Sequence, residues 1–108
     1  MTRLRAARVN QVWTYDFVKD QTIDGRSLKI LTVVDEFTRE CLAIMVARSI
    51  RASQVVETLQ ELVGIRGAPE HMRSDNGPEF IAARVRRWLE SRGTQTAFIE
   101  PGAPWENA

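Results

Sequence analysis

The Asp24-Gly25 pair constrains this chain more than any other feature, because it stands between two β-prone runs. An Asp-Gly pair favours the left-handed backbone of a tight turn, so Val12 to Val18 and Leu28 to Val34 are expected to fold back on each other as an antiparallel hairpin. Alternation along the first run puts Trp13, Tyr15 and Phe17 on one side and Val12, Thr14, Asp16 and Val18 on the other. The second run is almost continuously apolar or β-branched, which suits a strand inside a sheet. After the polar corner Glu36, Thr38, Arg39 and Glu40, the run Cys41 to Val46 supplies a third strand and completes an antiparallel meander.

The period then changes. Val55, Val56, Leu59, Leu62 and Val63 fall on one helical face, with Ser53 as the expected N-cap and Gly64 or Gly67 as the stop. His71 to Ser74 reads as a short strand, followed by a helix that turns Ile81, Val85, Trp88 and Leu89 inward and ends near Gly93. Thr94 to Ile99 is the last expected strand. The expected fold class is therefore α/β: a three-stranded antiparallel meander, then alternating helices and strands that add in parallel at the meander's edge to make a mixed five-stranded sheet. At 108 residues and 44% hydrophobic, the chain can build one modest core and no second one.

Several function classes fall away on composition. No apolar run is long enough to cross a bilayer, and Met1 to Asn10 lacks the apolar stretch of a secretory signal, so a cytoplasmic protein without a membrane partner is expected. A single cysteine, Cys41, leaves neither an intrachain disulfide nor a zinc cluster, and is expected to be a small buried hydrophobe. The net charge of +1 says nothing for a polyanionic partner, but its distribution does. Arg3, Arg5 and Arg8 precede the first acidic residue, and Arg84, Arg86, Arg87 and Arg92 crowd one later segment. These are either basic patches for a phosphate backbone or ordinary solvated surface.

Two carboxylates stand in unusual places. Asp16 lies inside an apolar strand, and Asp75 ends a short strand just before the turn Asn76-Gly77-Pro78. Strands that end side by side can bring such groups together, and close anionic oxygens are tolerated when divalent cations neutralise them. Oxygen ligands favour magnesium or manganese over zinc, in a chain whose single histidine is His71. The ordinary alternatives are a water-facing carboxylate on an edge strand for Asp16 and a turn-forming residue ahead of a helix for Asp75. Asp35, which opens the polar corner, fits a structural role better than a catalytic one.

Four segments occur in a telling order: Trp13-Thr14-Tyr15-Asp16-Phe17, then Leu31 to Glu40, then Arg73-Ser74-Asp75-Asn76-Gly77-Pro78-Glu79-Phe80, then Ile99 to Ala108. Together they resemble transposases of the IS3 insertion-sequence family, over about nine-tenths of the chain. The resemblance implies an RNase H-like fold and a catalytic core of the integrase type at residues 11–108, behind a basic N-terminal extension at residues 1–10. It also implies DNA transposition or integration with two divalent metals, Mg2+ or Mn2+, held by a triad of two aspartates and a glutamate. Asp16 and Asp75 match the first two members as catalytic residues and metal ligands. Counted from Asp75, the glutamate's place falls just beyond Ala108, so the chain looks truncated, with the last helix missing and activity on its own not expected. Glu100 and Glu106 fall short of that place, in a Pro/Gly-containing loop.

By the same resemblance, Asn76, Glu79, Trp105 and Asn107 are candidates for DNA contact, and the implied partners are insertion-sequence ends, target DNA, further copies of the chain or a full-length transposase. A nucleoid-associated bacterial protein is the implied setting. A non-catalytic DNA-binding or oligomerisation fragment, or an inert remnant of a mobile element, would share these motifs. A ribonuclease H or resolvase would not account for the run from Asp75 to Phe80.

Overall fold

The computed structural model describes residues 5–74 and 79–98. In chain order the elements are β1 (Val12–Gln21), β2 (Ser27–Asp35), β3 (Cys41–Ala47), α1 (Ala52–Arg66), β4 (His71–Ser74), α2 (Glu79–Ser91) and β5 (Gln95–Phe98). One five-stranded sheet runs in the order β3-β2-β1-β4-β5. The β1–β2 and β2–β3 pairs are antiparallel, whereas β4 joins β1 in parallel and β5 joins β4 in parallel. The expected α/β class and strand senses are those observed. Gly25 turns the first hairpin at φ +84°, in the left-handed region that an Asp-Gly pair supplies.

Both described helices pack on one face of the sheet. Trp13, Tyr15, Phe17, Leu31, Val33 and Met72 meet Val55, Leu59 and Leu62 of α1 and Ile81, Val85 and Leu89 of α2 in a single buried cluster. The other face is built from cross-strand rows. Val18, Ile30 and Val46 form one row, Asp16, Thr32 and Ile44 the next, and Arg73, Thr14 and Val34 the third. Ile44 and Val46 are 66% and 55% exposed, so no described element covers the apolar end of this face.

Three local expectations need correction. Helix α1 is capped by Arg51 rather than Ser53, because Ile50 and Ala52 are drawn into the core and pull the start of the helix back. Gln54 then accepts the Arg51 N–H at 2.7 Å. The helix runs through Gly64 and ends at Gly67, whose N–H reaches the Val63 carbonyl at 2.8 Å. Cys41 is exposed rather than buried. It starts the edge strand across from a bulge, where the β2–β3 register shifts between Val33 and Val34 and the inward alternation is broken. Trp88 is only partly buried at the core margin, with the Arg92 guanidinium 5.4 Å from its ring centroid.

Candidate active site

Asp16 sits on the central strand, so the edge-strand reading does not hold. Its side chain is half-buried on the face away from the helices, because Trp13, Tyr15 and Phe17 take the alternate positions that point into the core. Asp16 Oδ1 accepts the Phe17 N–H at 2.9 Å, and the residue lies opposite Thr32 of β2. On its other side β4 runs parallel to β1 and reaches Ser74 opposite Tyr15, one residue short of the level of Asp16. Asp75 follows Ser74 in sequence and lies outside the described residues, as do Asn76, Glu100, Trp105, Glu106 and Asn107. Glu79 opens α2 with its backbone, but its side chain also lies outside what is described.

A polar network occupies the row next to Asp16. Arg73, only 5% exposed, places Nη1 3.4 Å from Glu36 Oε1, and the Thr14 hydroxyl donates to Glu36 Oε2. The network ties β4 to the corner after β2 across the central strand. Sequence reasoning had no role for this pair. The available signal was Arg73 itself, a charge inside a four-residue strand, which burial makes costly without a partner.

Asp35 is engaged elsewhere. It is 2% exposed and its carboxylate accepts the N–H groups of Asn10 at 2.8 Å, Phe37 at 2.8 Å and Thr38 at 3.2 Å. A carboxylate so occupied fastens the corner between β2 and β3 and is poorly placed to bind a metal ion. On the helix side, burial pushes the Tyr15 phenol above its usual value, opposed by a hydrogen bond with Ser74 and by the Arg86 charge. Among the described residues no three His, Cys, Asp or Glu side chains gather as a metal cluster, and no helix is long and apolar enough to cross a membrane.

A five-stranded mixed sheet with an inward-facing aromatic triplet and a carboxylate on the reverse face of its central strand defines an RNase H-like α/β domain. The chain belongs to the integrase core domain family, whose model matches residues 6–104. It is 42% identical over 105 residues to the uncharacterized 39.2 kDa protein of insertion element IS476 from Xanthomonas euvesicatoria, covering 97% of this chain and 30% of that protein. It is 39% identical over 99 residues to the uncharacterized 31.7 kDa protein of insertion element IS407 from Burkholderia multivorans, covering 92% of this chain and 36% of that one. The chain thus spans about a third of the length of these relatives.

Solved structures agree on the fold. The simian T-cell lymphotropic virus intasome matches with a TM-score of 0.75 at 18% identity, over 97% of this chain and 37% of that one. The HTLV-2 integrase catalytic core domain in complex with magnesium matches with a TM-score of 0.71 at 17% identity, over 89% of this chain and 64% of that one.

Proposed function

We propose that this chain forms the catalytic core of a DNA transposase, in which Asp16 and Asp75 hold divalent metal for phosphoryl transfer at insertion-sequence ends and target DNA. The observation that carries the reading is the placement of Asp16: a half-buried carboxylate on the central strand, at the level where the parallel neighbour β4 terminates. Two carboxylates delivered there by adjacent parallel strands would repel each other without a cation between them. The donor chemistry suits a hard ion, since the candidates are carboxylate oxygens while Cys41 and His71 stand at other positions. A bound Mg2+ or Mn2+ would stabilise charge at the scissile phosphate and favour ionisation of the attacking hydroxyl. The relatives encoded by insertion elements, and the magnesium named with the HTLV-2 core, support the same reading.

The carboxylates orient the ion and form no covalent intermediate. The resemblance sets the third carboxylate past Ala108, and without that ligand strand transfer is expected to be negligible. A second reading, an oligomerisation or DNA-binding fragment that acts with a full-length transposase, draws on the exposed row around Ile44 and Val46.

Metal binding tests the proposal without turnover. Water-proton relaxation of Mn2+ should show binding by the chain that Asp16→Asn and Asp75→Asn each weaken by at least about tenfold. Unchanged Mn2+ binding in Asp16→Asn would overturn it.

A further inference from the structure

We infer that the solvent face of α2 is a docking surface for the phosphate backbone of duplex DNA, with Arg84 and Arg87 as its principal contacts. The inference rests on the proposed function for the identity of the polyanion and extends it to a place on the molecule. Helix α2 buries Ile81, Val85 and Leu89 against the sheet, which turns Phe80, Arg84 and Arg87 outward. Arg84 and Arg87 are exposed, and Phe80 is 75% exposed. Between Phe80 and Arg92 the sequence carries four arginines and a single acid, Glu90.

Several arginines are engaged within the fold, and of those without an acidic partner among the described residues Arg84 and Arg87 stand together on one helix face, whereas Arg39 and Arg48 stand singly. Arg8, Arg26, Arg66 and Arg73 each meet a carboxylate, and Arg92 lies over Trp88. Among the described residues neither Arg84 nor Arg87 has an acidic partner. Two unpaired guanidinium forks on one helix face suit phosphate oxygens. Their separation along the helix axis is about 4.5 Å, close to the ~3.4 Å axial spacing of phosphates on one DNA strand.

Helix α2 begins at Glu79, a few residues after β4 ends at Ser74, and packs on the sheet face opposite the Asp16 side chain, so the stripe is a surface separate from that carboxylate. Phe80, at the end of the stripe nearer the strand, offers an apolar surface to sugar and base edges.

The test is the salt dependence of binding to labelled duplex DNA by fluorescence anisotropy. The variants are Arg84→Ala, Arg87→Ala and the double substitution, with Arg48→Ala as an exposed-arginine control and Asp16→Asn as a site control. The double variant is expected to lower the slope of log affinity against log salt by about 1.8, and each single variant by about half as much. Arg48→Ala should keep the wild-type slope, circular dichroism should be unchanged throughout, and Asp16→Asn is read by its Mn2+ binding alone. A wild-type slope in the double variant, or an equal loss in Arg48→Ala, overturns the inference, the first result leaving an acidic protein as the better partner for the stripe. If the double variant is unaffected while Asp16→Asn still loses Mn2+, the stripe falls and the active-site reading stands. If the wild-type chain binds no duplex DNA, the stripe falls, and Mn2+ binding by the wild type against Asp16→Asn decides the active-site reading separately.

Discussion

Arg73 and Glu36 pair across the sheet face that carries Asp16, Nη1 to Oε1 at 3.4 Å, with the arginine almost wholly withdrawn from water. Because the cost of breaking such a pair comes from the charge left behind, Glu36→Gln, which leaves the buried Arg73 guanidinium without this carboxylate, should destabilise the chain by about 3 kcal/mol. Arg73→Met leaves the more exposed Glu36 carboxylate and should cost less, and the two changes together should cost less than their sum. Urea unfolding of the three variants measures this coupling, and additive losses would mean that the pair contributes nothing as a pair.

Asp35 and Asp16 should respond oppositely to substitution. Asp35→Ala strips the acceptor from three backbone N–H groups at a buried corner and should cost about 2–4 kcal/mol. Asp16→Asn, at a half-buried position, should change stability by less than about 1 kcal/mol. Thermal melting of the two variants separates the structural aspartate from the functional one.

The single tyrosine of the chain permits a clean titration. Burial holds the Tyr15 proton more tightly in the folded state than in the unfolded one, where the value is near 10.0. The folded chain therefore binds more protons above that pH, and stability falls as pH rises through it. The stabilisation is complete below pH 10.0 and is lost progressively above it. Ultraviolet titration should give a tyrosinate midpoint above 10.0 in buffer that returns to 10.0 in urea; identical midpoints would contradict the burial of Tyr15.

The two sheet faces should differ in their tolerance of change. Leu59→Ala, fully buried between helix and sheet, should cost about 3–5 kcal/mol. Ile44→Thr and Val46→Thr keep β-branching on the uncovered face and should stay within about 0.5 kcal/mol while reducing self-association. Denaturant melts and sedimentation velocity together check this. A large loss of stability at Ile44 or Val46 would mean that this face is covered in the isolated chain.

Much of the fold was legible in the sequence because its signals are local. Period-two alternation in β1, the Asp24-Gly25 turn and the apolar stripes of both helices each involve residues close in the chain, and each lies where expected. Asp16 was legible as a carboxylate interrupting an apolar strand. The misplaced features depend on distant partners. The β2–β3 bulge that exposes Cys41 and the pull of Ile50 and Ala52 into the core are properties of the assembled sheet, and no window around those residues contains them. The Arg73–Glu36 pair joins residues 37 apart, which periodicity cannot see. The candidates Asp75, Asn76, Trp105 and Asn107 rest on resemblance, since they lie outside the described residues.

The central claim is that Asp16 and Asp75 work together on DNA through a divalent ion. Its most direct test is Mg2+- or Mn2+-dependent nicking and strand transfer on insertion-end DNA, comparing the 108-residue chain with a version extended through the following helix, each with Asp16→Asn and Asp75→Asn counterparts. The account predicts activity in the extended wild type alone, abolished by either substitution. Activity that survives Asp16→Asn in the extended protein would contradict it.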